Sequence, residues 1–156
     1  MENYIINYET LLIIPYGEDK SFVYEVNDSF EVDSNVLKIV QNSCLFFGSS
    51  LAGRNEAVVN LLDSKIKLPI IVENTKNLLI FPTYAHKNKS NIWISYNNLI
   101  DYKKSGNGTL LKFIGNNDIN IDVKSNIIDN QIIRCVKLDA ILNKRKQKLK
   151  IDSDFY

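Results

Sequence analysis

Ser43-Cys44-Leu45-Phe46-Phe47-Gly48-Ser49-Ser50-Leu51-Ala52-Gly53-Arg54 brings apolar bulk, turn chemistry, small polar groups and a cation together within a dozen residues. Leu45, Phe46 and Phe47 call for a core. Gly48 allows a sharp turn, because a residue without Cβ takes positive φ at no steric cost. Ser49 and Ser50 are suited to cap a following helix. Arg54 falls in that helix's first turn, where the dipole disfavours a cation. Two readings stay open for it: a solvated surface residue, or a partner for an anion arriving at the free N–H groups of the helix start.

Outward from the turn, the periodicity predicts a helix on each side. Ser34 or Asn35 caps Val36 to about Phe46, with Val36, Leu37, Val40 and Cys44 on one face. The second helix, Leu51 to Asp63, turns Leu51, Val58, Leu61 and Leu62 inward, giving an αα-hairpin. Few base-reading side chains lie on it beyond Arg54, Asn55 and Asn60, so major-groove insertion is not expected.

Before this pair, residues 4–14 read as one strand, bent near Asn7. Ser21–Val26 and Phe30–Val32 add two more in a small antiparallel sheet. After it, Ile70–Val72 and Leu78–Phe81 form a hairpin apolar on both faces, expected to be central. Residues 84–91 are a polar, basic loop, and Ile92–Ser95 is a strand. Leu99–Lys103, Thr109–Ile114 and Asp118–Val123 make a meander with turns at Gly106–Gly108 and Gly115–Asn117. Ser125 or Asn126 caps a last helix with Ile128, Ile132, Cys135 and Asp139 on one stripe, running to Asn143. The basic run Lys144–Lys150 then sits at its C-terminus, where cations are favourable; phosphate contact is the rival reading. The fold class is therefore α+β, an antiparallel sheet and meander with a central helix pair and a C-terminal helix, in one domain over 1–156.

The chain's 156 residues suit a single core, and 45% hydrophobic with 24% charged residues is ordinary for a globular protein. No apolar run is long enough to span a membrane, and no signal peptide is visible. The net charge of +1 conceals a split. Residues 1–35 carry eight acidic groups against Lys20 alone, net −7, while the rest carry 18 basic and 10 acidic groups, net +8. Such a split suits contact with a polyanion. Cys44 and Cys135 are expected to be reduced, buried and inert. With His86 the lone histidine, a Cys/His metal centre is excluded.

Catalytic patterns are missing. No Gly-Lys-Ser/Thr follows the Gly48 turn, so it is not a Walker loop. There is no Gly-x-Ser-x-Gly elbow. His86 stands alone in a loop and reads as solvent-exposed. Carboxylates cluster only in the acidic N-terminal segment, with no pair arranged for acid–base work. Neither an enzyme nor a cofactor is expected.

The segment Ser43-Cys44-x-Phe46-Phe47-Gly48-Ser49-Ser50-x-Ala52-Gly53-Arg54 resembles the signature of the ComK family of competence transcription factors. Further landmarks follow in order: Leu68-Pro69-Ile70-Ile71-Val72, Phe81-Pro82-Thr83, Trp93-Ile94-Ser95 and Asn130-Gln131-Ile132-Ile133-Arg134. The resemblance runs from about Tyr4 to about Arg145. It implies a cytoplasmic activator of DNA-uptake genes, with homodimers that pair to a tetramer on AT-rich promoter boxes and bind through the minor groove. Within it, charge and turn chemistry single out Ser49, Ser50, Arg54, Asn55, Lys65, Lys67, Lys87, Lys89 and Arg134 as DNA-binding residues. The resemblance also implies a proteolytic adaptor as partner, although only Lys148–Tyr156 corresponds to the tail it recognises. Arginine is scarce, and Asn91, Tyr96 and Asn98 stand where the family often has Cys and His. An alternative from another class is a non-activating paralogue that antagonises a relative through mixed dimers.

Overall fold

The computed structural model describes residues 1–154, with side chains to residue 150. Nine strands and three helices are found among them. β1 (Thr10–Pro15), β2 (Ser21–Glu25) and β3 (Ser29–Val32) precede α1 (Val36–Phe46) and α2 (Leu51–Leu62). β4 (Ile70–Glu73), β5 (Leu78–Pro82) and β6 (Trp93–Ser95) follow, then β7 (Leu99–Ser105), β8 (Gly108–Phe113), β9 (Asn117–Ile121) and α3 (Ser125–Asp154). The α+β class is thus established.

The strands form two sheets, one of six in the order β3-β2-β1-β6-β5-β4 and one of three in the order β7-β8-β9. Every pairing is antiparallel. The period-2 alternation of strands sorts the large sheet's side chains into two cores. Ile13, Val23, Ile70, Val72, Leu78, Ile80 and Trp93 pack with Val36, Ile39, Val40 and Cys44 of α1 on one face. Leu12, Phe81 and Ile94 pack on the other face with Leu111 and Phe113 of β8 and with Ile128 and Cys135 of α3. A third cluster joins Ile71 and Leu79 to Val58 and Leu62 of α2 and Leu138 of α3. Each such aliphatic or aromatic side chain contributes about 1.5–3 kcal/mol when fully buried.

The hairpin β4–β5 lies at one end of the sheet, not in its centre. Its two apolar faces have another cause. α2 crosses the exposed side of β4, its Leu51 packed on the α1 side and its Val58 and Leu62 on the α3 side. The helix thereby covers an edge that would otherwise offer unpaired backbone groups.

Local chemistry sets the helix ends. The Asn35 side chain accepts from the Lys38 N–H at 2.8 Å, and the Ser50 hydroxyl accepts from the Gly53 N–H at 3.0 Å. Gly48 between them takes φ of 102°. The expected strand over residues 4–14 begins only at Thr10, because Asn7 closes a turn. Its carbonyl accepts from the Thr10 N–H at 3.1 Å and its side chain from the Glu9 N–H at 2.9 Å. Tyr4 and Ile6 still reach the core, and the Ile6 N–H donates to the buried Ser43 hydroxyl at 2.9 Å.

α3 runs past Asn143 to Asp154, so the basic run is exposed helix interior and not a helix terminus. One of its cations is committed: the Lys146 ammonium binds the Asn74 carbonyl and the Asn77 side chain at the β4–β5 turn. Asn77 in turn donates to Asp139 at 2.8 Å and to Asn143 at 2.7 Å. Of the tail 144–156, Phe155 and Tyr156 lie outside the described residues.

The meander depends on one close approach. A Cβ on Gly108 would stand 2.3 Å from the Ile121 carbonyl oxygen, a backbone atom that cannot rotate away. Gly108→Ala is therefore expected to cost about 1–3 kcal/mol, read as a lowered midpoint in urea unfolding, while Gly17→Ala, with open space around it, lacks this clash.

Candidate nucleic-acid interface

Four segments that sequence reading singled out separately are joined by hydrogen bonds. Asn55, in the second turn of α2, donates from Nδ2 to His86 Nδ1 at 3.3 Å. His86 Nε2 donates to the Leu68 carbonyl at 2.8 Å. One residue earlier, the Lys67 carbonyl accepts from Gln131 Nε2 at 2.8 Å and from Arg134 Nη1 at 3.1 Å. The start of α2, the loop 64–69, the loop 84–91 and the first turns of α3 are thereby one connected surface. Lys65, Lys87 and Lys89 are exposed on it, and Lys67 and Asn55 are half-buried.

The two arginines are tied down. Arg134 Nη1 also donates to the Ile66 carbonyl at 3.1 Å and to Gln131 Oε1 at 3.0 Å, so it clamps the loop 64–69 onto α3. Arg54 is half-buried, with Nη2 3.4 Å from the Phe47 carbonyl and Nε buried without a partner. Its place in the first turn of α2 now has a structural reason. It lies against the last carbonyls of α1, where a cation is favourable. Burial pushes the Cys44 thiol up to about 11, with the charge of Arg54 pulling the other way. Ser50 is occupied as the α2 cap, and Ser49 is half-buried beside it.

His86 departs from its expected exposure. It is half-buried, with its ring centroid 5.0 Å from that of Trp93. Its partners fix the neutral tautomer, Nε2 carrying the proton and Nδ1 accepting from Asn55. Burial holds its pKa below the ordinary 6.5, the Leu68 carbonyl opposing the shift. Protonating Nδ1 would set two donors face to face.

Asn91 and Asn98 are structural amides. Asn91 Oδ1 accepts from the N–H groups of Thr83 (2.9 Å) and Tyr84 (3.0 Å), while its Nδ2 donates to the Ala85 carbonyl at 3.0 Å, shaping the loop 84–91. Asn98 Nδ2 donates to the carbonyls of Tyr8 and Thr10, both at 2.8 Å. Gln131 was legible only as part of a family landmark. Its Nε2 also holds the Pro82 carbonyl at 2.6 Å, which ties α3 to the end of β5.

The charge split of the sequence is only partly spatial. Strands β1–β3 form one half of the large sheet and the loop 64–69 enters β4 at its opposite edge, but the loop 84–91 lies beside the β1–β2 turn, where Lys87 and Lys89 line one cavity with Glu18 and Asp19. In the acidic half, Lys20 pairs with Glu31 at 3.5 Å and Asp33 at 3.7 Å. Among the described residues no group of three or more His, Cys, Asp or Glu could hold a metal ion, and no helix is long and apolar enough to cross a membrane. Cys44 and Cys135 are free and buried.

Exposed cations thus stand on loops that buried amides brace. The chain belongs to the ComK family, whose model, described as ComK protein, matches residues 1–147. A relative in Bacillus subtilis (strain 168), described as a competence transcription factor, is 29% identical over 138 residues, covering 86% of this chain and 72% of that protein. No solved structure matches the chain.

The His86 geometry carries a pH dependence with a defined sign. As pH falls through 6.5 the unfolded chain takes up the His86 proton before the folded one does, so stability drops from there downward. Between about pH 7.5 and 5.5 the wild-type melting temperature should fall about 1–3 °C further than that of His86→Gln; equal losses in thermal melts would show that His86 is not so held.

Proposed function

We propose that the chain is a DNA-binding activator of competence genes that holds AT-rich boxes through the minor groove. On this reading residues 1–156 act as one domain in the cytoplasm, without catalysis or cofactor, as homodimers that pair to a tetramer on DNA. Membership of residues 1–147 in the ComK family carries the proposal. The surface chemistry supports it. A·T pairs present only acceptors in the minor groove, and A-tracts narrow it and deepen its negative potential. Lys65, Lys67, Lys87 and Lys89 supply charge to the phosphates, while Ser49, Ser50 and Asn55 supply small donors. From Ser34 to Asn55 the chain has no carboxylate side chain, and its charges are Lys38 and Arg54. Arg54, half-buried in the first turn of α2, adds a positive charge beside Ser50. Arg134 acts on this reading through the loop that it clamps.

Binding to an AT-box duplex and to a GC-rich duplex of equal length, titrated across salt, tests the reading. The AT-box duplex should bind about tenfold or more tighter, and affinity should fall steeply with salt. Replacing both Lys87 and Lys89 by Ala should lower the salt slope by about 2. Arg54→Ala should weaken binding with an unchanged circular dichroism spectrum. Equal affinity for both duplexes overturns the minor-groove reading.

A further inference from the structure

Leu45 and Phe46 are two neighbouring members of the set of large apolar side chains left exposed. Sequence reading sends them to the core with Phe47, yet they are 60% and 67% exposed. The cause is position along α1. Its buried face is Val36, Ile39, Val40, Ser43 and Cys44, and at 100° per residue Leu45 falls opposite that face, while Phe46, close to the Ile39 direction, is the last residue of the helix. α1 ends there, and Gly48 turns the chain back into α2, so the two side chains stand at the corner of a helix pair. Phe47 anchors them. Its half-buried ring packs against the α1 core and meets the ring of Phe46 edge-on at 5.1 Å.

We infer that Leu45 and Phe46 form an apolar wedge that enters a base step from the minor groove, unstacks it and kinks the duplex. The inference rests on the minor-groove reading proposed above and gives it a mechanism. Side chains of this kind do enter base steps in bent minor-groove complexes. The surroundings fit that occupant. Ser49, Ser50 and Arg54 follow within eight residues of Phe46, and no carboxylate side chain interrupts 34–55. The segment that forms the corner thus carries no acidic side chain of its own before Glu56. A second copy of the chain is a poorer fit. A stable dimer face buries about 800 Å² per partner, more than two side chains at a turn provide, whereas one base step accepts such a pair.

The test uses the full chain and an AT-box duplex with 2-aminopurine at a TA step and dyes at its ends. Wild-type protein should raise the 2-aminopurine emission and bend the duplex by about 20–90°. Leu45→Ala and Phe46→Ala should keep the wild-type salt slope, but lose the emission rise, most of the bend and part of the preference for the AT-box duplex. Phe46→Trp, which keeps an aromatic ring at the corner, should have its indole emission quenched on binding above the constant background of the buried Trp93. Should Phe46→Ala fail to fold, that quenching decides the matter. Three results overturn the wedge: wild-type binding to an unbent duplex with no emission rise, a full bend in folded Phe46→Ala, or loss of self-association by Phe46→Ala in sedimentation without DNA. A wild-type protein that binds AT-rich and GC-rich duplexes equally overturns the minor-groove reading itself, which separates the two failures.

Discussion

Pro82 and Lys67 each turn a main-chain carbonyl away from the sheet ladder, and a single buried amide, Gln131, answers both. An unpaired buried carbonyl costs about 1–3 kcal/mol, so the bond to Pro82 at the end of β5 fixes where α3 lies. The bond to Lys67 then fixes where the loop 64–69 lies. Everything at the candidate interface follows from that placement. The Leu68 carbonyl is set to receive His86, and His86 sets Asn55. The same amide's oxygen takes a hydrogen from Arg134, whose other bonds close the loop from outside. The exposed lysines stand on loops whose backbones are hydrogen-bonded to Gln131, Arg134, His86 and Asn91.

Much of the fold was legible because its signals are local. The Asn35 and Ser50 caps, the left-handed Gly48 and the turns of the meander need only their neighbours in sequence, and each stands as read. What failed to show is long-range. Gln131 and Lys67 are 64 residues apart, Asn77 and Asp139 are 62 apart, and no periodicity encodes such pairs. The hairpin β4–β5 was misplaced for a related reason. Apolarity on both faces reports cover on both sides, and α2 supplies that cover to an edge strand as well as any neighbouring strand would. At Leu45 and Phe46 composition misled, since an apolar run implies a core only when the helix stripe agrees. The stripe through Val36, Val40 and Cys44 already left Leu45 outside, while Phe46 is exposed as the last residue of α1.

Of the proposed site residues, the lysines were singled out by charge, and hydrogen bonds join the segments that bear them. His86 was missed because a lone histidine in a polar loop carries no sign of its tertiary partners. Arg54 was found for its awkward place in a helix start, and the local reason is now visible in the α1 carbonyls. That reason does not compete with a role toward an anion. A guanidinium has five N–H donors, and the bond to Phe47 uses one of those on Nη2.

The scarcity of arginine has a consequence for recognition. The chain has three, Arg54, Arg134 and Arg145, and the first two direct guanidinium N–H groups at main-chain carbonyls. A planar fork is the side chain suited to bidentate recognition, and here it is largely spent inside the protein. Contact with a duplex then falls to lysines, which bring point charge without bidentate geometry. Lysines reward any phosphate equally, so discrimination among sequences has to come from elsewhere. The minor groove offers a degenerate code to donors such as Ser49, Ser50 and Asn55. The remaining source is the energy of deforming the duplex, which is lowest at flexible pyrimidine–purine steps such as TA. In the wedge proposed above, the apolar pair at the corner of α1 converts that stiffness difference into binding energy. A scaffold that commits two of its three arginines to its own main chain has physical reason to use it.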